Sequence, residues 1–141
     1  MLVGATPGEQ ISYISPAYGG STSDRHVVER SPLVNICDPG DSIMSDKGFN
    51  VQDLFAPKDL KVNIPTFFKR KNRMSNHTVL RDRKISSKRV HIERQKCLAK
   101  TFKILKGPLN STETKLASEI AYVCFTLCNF RNCIVPKHAE V

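Results

Sequence analysis

Two acidic residues stand in sequence contexts that suit metal chemistry. Asp46, in Met44-Ser45-Asp46-Lys47-Gly48-Phe49, follows a short run that we expect to form a buried strand. Glu93, in Arg89-Val90-His91-Ile92-Glu93-Arg94, is expected in the middle of a long helix. Carboxylates brought together from a strand end and a packed helix can hold a divalent cation and direct it at a phosphodiester bond. Because carboxylate oxygens suit hard cations, the pair predicts a site for Mg²⁺ or Mn²⁺.

Each acid also has an ordinary structural interpretation. An Asp before Lys47-Gly48 is typical of a turn or a cap. Glu93 stands four residues after Arg89 and three before Lys96, so it can form exposed helical ion pairs that contribute about 0.2–0.5 kcal/mol each. Residue types and spacing alone leave both interpretations open.

Three other features have a chemical interpretation that we do not favour. Asp24 is better explained as a helix cap than as an accessory acid. His91 is better explained by packing or phosphate contact than by a role as general base. The spacing of Cys128, Cys133 and His138 is loose for a zinc site, and these cysteines are predicted to be core residues.

The positive charge of the chain is concentrated in one region. The 141 residues carry 22 Lys and Arg against 13 Asp and Glu, and residues 58–106 hold 16 of the basic residues but only three of the acidic ones. Such asymmetry favours a polyanion, most often nucleic acid, over a solvated surface or a membrane partner. The predicted DNA-contacting residues are Lys69, Arg70, Lys71, Arg73, Arg89, Arg94 and Lys96.

Other sequence features bear on location and partners. Five cysteines without a pairing pattern, and no secretory signal at the start, predict a reduced intracellular protein. The basic run Lys69–Arg73 is of the kind that serves as a nuclear localisation patch, so the nucleus is predicted and the cytoplasm is the alternative. The longest apolar run, Ile120–Cys128, is shorter than the roughly 20 residues that span a bilayer. Since the sequence has no zinc-finger or helix-turn-helix pattern, sequence specificity would come from another domain or a separate DNA-binding partner protein.

Alternating β-prone and helical patterns predict one α/β domain. The predicted elements are a hairpin of residues 2–6 and 10–15 through Pro7-Gly8, a helix from Ser23 or Asp24 to Ile36, strands at 42–45 and 60–64 with a short helix at 51–56, a basic loop within residues 66–84, a long helix from about residue 77 to 104, and a last helix capped by Asn110 and Glu113. Helical projection also predicts which faces pack inward. The predicted packed residues are Val90, Cys97 and Ile104 on the long helix, and Leu116, Ile120, Val123, Cys124, Leu127 and Phe130 on the last one.

Several stretches together resemble the catalytic core of a DDE superfamily endonuclease, specifically a Harbinger-type transposase or a nuclease derived from one. They recur in the family's order over nearly the whole chain. The matching stretches are Leu2-Val3-Gly4-Ala5-Thr6-Pro7-Gly8, Tyr18-Gly19-Gly20-Ser21-Thr22-Ser23-Asp24, Pro39-Gly40-Asp41-Ser42-Ile43-Met44-Ser45-Asp46-Lys47-Gly48-Phe49, Leu60-Lys61-Val62-Asn63-Ile64-Pro65, Arg89-Val90-His91-Ile92-Glu93-Arg94 and Phe102-Lys103-Ile104-Leu105-Lys106-Gly107.

The resemblance implies an RNase H-like fold, with residues 1–141 forming part of a DDE endonuclease domain. It implies that Asp46 is the second catalytic acid, that Glu93 is the third, and that both hold Mg²⁺ or Mn²⁺ for hydrolysis of DNA. In the family the first aspartate lies on a strand upstream of the stretch that begins at Leu2, and that strand is the middle one of the sheet. The resemblance therefore implies an N-terminally truncated core that lacks its first, central strand.

The expected function is that of a metal-dependent DNA endonuclease or transposase-type domain. We expect this isolated chain to be inactive, so the question whether it is an enzyme stays open. The alternative is a non-catalytic, transposase-derived module that binds nucleic acid or protein. A third interpretation is a truncated gene product that does not fold stably.

Overall fold

The computed structural model describes residues 1–46, 48–66 and 75–131. It has a mixed α/β architecture, as the alternating patterns predict, and its strands form two small sheets. In chain order the elements are β1 (Val3–Ala5), β2 (Ile11–Ile14), α1 (Asp24–Arg30), α2 (Leu33–Ile36), β3 (Ser42–Met44), α3 (Gln52–Phe55), β4 (Lys61–Asn63), α4 (Asn76–Ala99), α5 (Ser111–Lys115) and α6 (Ala117–Cys128), with 3₁₀ turns at Ala56–Lys58 and Lys103–Leu105.

The predicted hairpin is confirmed, because β1 and β2 pair antiparallel. The Glu9 N–H donates to the Thr6 carbonyl at 3.0 Å, and the Thr6 N–H donates to the Gln10 carbonyl at 2.8 Å. Glu9 has a φ of 66°, in the left-handed region. A turn followed by a left-handed residue is a common three-residue hairpin connection, and glycine is the usual occupant of that last position.

Helix α6 covers the edge of β2 that faces away from β1. The Ile11 N–H donates to Asn129 Oδ1 at 2.7 Å, and Asn129 Nδ2 donates to the Ile11 carbonyl at 3.0 Å. The Ala17 N–H donates to Ser118 Oγ at 3.0 Å. Side chains at both ends of α6 therefore form hydrogen bonds with main-chain groups on this side of the hairpin, which would otherwise be available to pair with a further strand.

The second sheet consists of β3 and β4, which pair parallel with Ile43 opposite Val62. Gln52, at the start of α3, covers the edge of β4 that faces away from β3. Its Nε2 donates to the Leu60 carbonyl at 3.1 Å, and its Oε1 accepts from the Val62 N–H at 2.8 Å. Each two-stranded sheet thus has one edge closed by a helix-borne amide side chain.

The core consists of two clusters of buried side chains. One lies between the hairpin and helices α4 and α6, and the other lies around α1, α3 and β4, with Leu2, Ile43 and Val62 packed against it. The residues buried in the first cluster are Ile11, Ala99, Ala121, Phe125 and Cys128. Those buried in the second are Val28, Phe49, Val51, Phe55 and Leu60.

The first predicted helix is capped as expected but is interrupted. Ser23 caps α1, since its Oγ accepts from the His26 N–H at 3.3 Å, and Asp24 is the first helical residue. The chain leaves the helix at Ser31, and α2 starts after Pro32, so the single helix predicted to Ile36 is wrong. Proline has no N–H to continue the helical ladder, which explains the break.

The long helix α4 begins where it was predicted to begin but ends earlier. Ser75 caps it by accepting from the Thr78 N–H at 3.3 Å, so residues 76–84 of the predicted basic loop at 66–84 are helical. Residues 67–74 of that loop lie outside the described residues. The helix ends at Ala99 rather than near residue 104, because Lys100 and Thr101 turn back onto the last carbonyls.

The packed faces predicted for the helices are mostly wrong. On α4 the buried residues are Ile85, Gln95 and Ala99, whereas Val90, Cys97 and Ile104 are exposed. The sequence of α4 is nearly uniform in polarity around the helix, so periodicity carries little information about which face is buried.

The single last helix that was predicted is divided at Leu116 into α5, which carries the capping box, and α6. Helix α6 turns a different apolar face inward from the predicted one. Cys124 is the only fully buried residue of the six predicted, Ile120 is half-buried, and Phe130 is 82% exposed. The buried residues of α6 are Ala121, Cys124, Phe125 and Cys128, and all but Cys124 share the first core cluster with Ala99 of α4. Leu116, Val123 and Leu127 are exposed. The core role of Cys128 is confirmed, whereas Cys133 and His138 lie outside the described residues.

Candidate functional site

Asp46 lies where the parallel pair of strands ends. The Ser45 N–H donates to the Asn63 carbonyl at 3.0 Å, which extends the pairing of β3 with β4 by one residue. The Asp46 carbonyl then accepts from the Phe49 N–H at 3.0 Å and closes a turn, and Phe49 is buried in the second core cluster. Strand and turn therefore present the Asp46 carboxylate at the sheet edge with 59% of its side chain exposed. This confirms the predicted strand-end position.

Glu93 lies on the exposed side of α4 among three cations. Lys96 Nζ lies 2.9 Å from Glu93 Oε1, and 53% of the Glu93 side chain is exposed. The hydrogen bond from Lys96 is the largest cause that lowers the pKa of Glu93, and the charges of Lys96, Arg89 and Lys100 act in the same direction, against a smaller opposing effect of burial. The Glu93 carboxylate is therefore ionised at neutral pH.

Arg89 connects Asp46 to the helix that carries Glu93. Its Nη2 forms an ion pair with Asp46 Oδ1, and it stands one helical turn before Glu93, whose pKa its charge lowers. The guanidinium thus links the end of β3 to α4, one helical turn before Glu93, which itself pairs with Lys96.

The donor set suits a hard divalent cation only in part. Asp46 and Glu93 offer carboxylate oxygens, and both side chains are open to solvent. Within residues 1–46, 48–66 and 75–131, no group of three or more His, Cys, Asp or Glu residues could hold a metal ion. Two carboxylates can hold one Mg²⁺ or Mn²⁺ that keeps several water ligands, which fits a weak site.

A second cluster holds α4 against the hairpin, and the sequence alone did not reveal it. Glu9 Oε1 pairs with His91 Nδ1 and lies 3.7 Å from Arg94 Nη1, while the Glu9 carbonyl accepts from Gln95 Nε2 at 2.8 Å. These helix residues flank Glu93 in sequence, so the cluster fixes the rotation of α4 that presents Glu93. The one available signal was an acid at a turn position where glycine is usual.

The predicted DNA-contacting residues fall into two groups. Arg89, Arg94 and Lys96 each form an ion pair with an acid of this chain, namely Asp46, Glu9 and Glu93 respectively. The other four, Lys69, Arg70, Lys71 and Arg73, lie outside the described residues.

The chain on either side of residues 67–74 is tied together. The Thr66 N–H donates to the Asp82 carboxylate at 3.2 Å, and Thr66 Oγ1 donates to the same group at 3.2 Å. Asp82 lies in the first turns of α4, near exposed cations that form no ion pair with any described residue. These cations are Arg81, Arg83, Lys84 and Lys88.

No helix in the described part of the chain is long and apolar enough to cross a membrane.

Comparison with known proteins identifies the family. A family model described as "DDE superfamily endonuclease" matches residues 1–129, a span that contains both acids and all the helices and strands of the described residues. Neither the curated proteins nor the solved structures that were compared contain a match to this chain. Members of this family are nucleases and transposases that act on DNA and usually use divalent metals. Since the match covers most of the 141 residues, this chain belongs to the DDE superfamily endonucleases.

Proposed function

We propose that this chain forms part of a Harbinger-type DDE nuclease core that hydrolyses DNA phosphodiester bonds, with Asp46 and Glu93 as ligands for Mg²⁺ or Mn²⁺. The observation that carries this proposal is the ion pair between Arg89 and Asp46, which ties the end of β3 to α4 one helical turn before Glu93. A strand end and a helix that are far apart in sequence thus each bring one acid to the same part of the fold.

The proposed fold is RNase H-like and is completed by one further strand between β1 and β3. Support comes from the sheet edges: Asn129 closes the outer edge of β2, and Gln52 closes that of β4. Among the described residues, no hydrogen bond reaches the opposite main-chain edges, those of β1 and β3. Leu2 packs in the same cluster as Ile43, so both edges border a common core.

A strand placed there would join the two pairs into one sheet with the order β2, β1, new strand, β3, β4. Such a strand would be covered on both faces and would end beside Asp46. We propose that it supplies the third carboxylate of the site. This chain alone would then bind the metal weakly, with a dissociation constant of about 1 mM or more, and would show little or no turnover.

The chemistry assigned to the site is in-line hydrolysis. Asp46 and Glu93 would hold a divalent cation, which when bound would supply an activated water molecule and stabilise charge on the leaving oxygen. Basic residues would contact the phosphates on either side of the reacting bond. The residues proposed for phosphate contact are Lys69, Arg70, Lys71, Arg73, Arg89, Arg94 and Lys96.

We propose the nucleus as the location, with a separate DNA-binding protein supplying sequence specificity.

One observation favours a second candidate function, a non-catalytic module that binds nucleic acid or protein. Arg89 and Lys96 already neutralise the two acids, so the arrangement is stable without a metal. A binding role would need the basic residues proposed for phosphate contact, but it would not need a third carboxylate.

A nicking assay on supercoiled plasmid with Mn²⁺ tests the nuclease proposal. The assay compares this chain with a longer form that adds an Asp-bearing strand before residue 1, and with the longer form carrying Asp46→Asn or Glu93→Gln. Glu119→Gln is the matched control, because Glu119 is an exposed helical acid without an ion pair among the described residues. We expect nicking by the longer form and by the control, and none by the two site variants.

Unchanged nicking by Glu93→Gln would remove Glu93 from the site. No nicking by any folded form, together with retained DNA binding, would favour the non-catalytic module. DNA binding is tested by reversing the charge of Lys69, Arg70 and Lys71. The slope of log affinity against log salt concentration should fall by an amount that corresponds to up to about three phosphate contacts. Lys115→Glu on α5 is the control, and equal salt slopes for the triple variant and the parent would contradict the phosphate-contact role.

A further inference from the structure

We propose that Arg89 is the internal counter-ion of the metal site: it occupies Asp46 in the metal-free protein and must release that carboxylate before a divalent cation can bind. This inference rests on the proposed metal-binding role of Asp46 and Glu93 and adds a competition step to it.

Among the described residues, Arg89 is the cation of α4 that forms an ion pair with Asp46 at the end of β3. Its Nη2 pairs with Asp46 on the sheet side, while its backbone belongs to α4, one turn before Glu93. Only 28% of the Arg89 side chain is exposed, compared with 59% for Asp46, so the guanidinium is the more enclosed partner of the pair. Lys96, in contrast, contacts Glu93 from the same helix and does not reach β3 in any ion pair within the described residues.

A divalent cation that used both carboxylates would compete directly with this guanidinium. Both cations need the Asp46 carboxylate, and they would repel each other at contact distance if they were bound together. Removal of the guanidinium should therefore raise the affinity for Mn²⁺. For an exposed pair in a high-dielectric setting, we expect an increase of about threefold to tenfold.

The discriminating variants are Arg89→Gln and Lys88→Gln. Both remove one positive charge from adjacent positions of α4, but Lys88 is exposed and makes no ion pair with the described residues. Manganese binding is followed by electron paramagnetic resonance of the free ion. We expect Arg89→Gln to bind Mn²⁺ more tightly than the parent, and we expect Lys88→Gln to match the parent within about twofold.

A double-mutant cycle gives a readout that does not depend on activity. The parent, Asp46→Asn, Arg89→Gln and the double variant are unfolded with urea in EDTA and again in excess MnCl₂. In EDTA we expect the two positions to be coupled by a factor of about 1.4 to 5 in the unfolding equilibrium constant. In excess MnCl₂ the coupling should disappear, because Asp46 then no longer contacts Arg89.

The outcomes separate this inference from the proposed function. No coupling in EDTA, or equal Mn²⁺ affinity of Arg89→Gln and the parent, would overturn the counter-ion role and leave the metal site intact. If neither the parent nor Arg89→Gln binds Mn²⁺, the proposed metal site is overturned, and the proposed competition between Arg89 and the metal is overturned as well. If Arg89→Gln does not fold, Arg89→Lys replaces it in the assay. The Lys ammonium lacks the planar guanidinium that pairs with Asp46. A Mn²⁺ affinity of Arg89→Lys equal to that of the parent would again count against the proposal.

Discussion

Substitution of Glu9 is expected to loosen α4 from the β1–β2 hairpin. The Glu9 side chain is only 17% exposed, and its carboxylate is paired with His91 and lies near Arg94. Hydrogen bonds to charged groups contribute about 1.5–3 kcal/mol when they are shielded from water. Because both partners are partly exposed, we expect Glu9→Ala to lower the free energy of unfolding by about 1–2 kcal/mol.

The backbone of Glu9 provides an internal comparison. Its φ of 66° strains every residue with a β-carbon, and glycine relieves that strain by about 1 kcal/mol. Glu9→Gly loses the same side-chain contacts as Glu9→Ala but gains this relief, so it should be about 1 kcal/mol more stable than Glu9→Ala. Glu9→Gln keeps an acceptor for His91 without the charge and should fall between Glu9→Ala and the parent.

Urea unfolding followed by circular dichroism at 222 nm measures these differences, and Glu119→Ala on α6 serves as the exposed-acid control. Two results would refute the reasoning: a Glu9→Ala variant as stable as the parent, or a Glu9→Gly variant less stable than Glu9→Ala. The first would mean that the cluster does not hold α4, and the second would mean that the left-handed backbone is not strained.

Three further predictions concern the scaffold and the site. Asn129→Ala should lower the free energy of unfolding by about 1–3 kcal/mol in urea titrations, because both main-chain groups of Ile11 lose their partner, and Asn129→Asp, which restores one acceptor, should lose less. Phe55→Ala should cost about 3–5 kcal/mol in the same assay, since Phe55 is fully buried; a loss under 1 kcal/mol would contradict its core position. The lowered pKa of Glu93 means that its ion pairs stabilise the protein fully above pH 4.5, the ordinary value, and that this contribution is lost as the pH falls through the lowered pKa. Glu93→Gln should therefore lose less stability than the parent on acidification, and parallel stability curves would count against this.

The sequence by itself determined the features that depend on neighbouring residues. The hairpin at Pro7-Gly8, the strand before Asp46 and the capping box of Asn110 with Glu113 all lie where the local pattern predicts them. The hairpin turn and the capping box are built from hydrogen bonds between residues a few positions apart, and such bonds are specified by residue type and spacing. The strand before Asp46 pairs with the distant residues Lys61–Asn63, but its short apolar run and the turn that follows it are local signals, so the strand-end position of Asp46 was also predictable.

Only the tertiary structure decided which helix faces are buried and which charges meet. Helix α6 is apolar on more than one side, so periodicity could not choose between the stripe at Val123 and Leu127 and the one at Ala121 and Phe125. The pairing of Asp46 with Arg89 joins residues that are distant along the chain. A charge pair of this kind depends on how elements pack, and no local spacing encodes that packing.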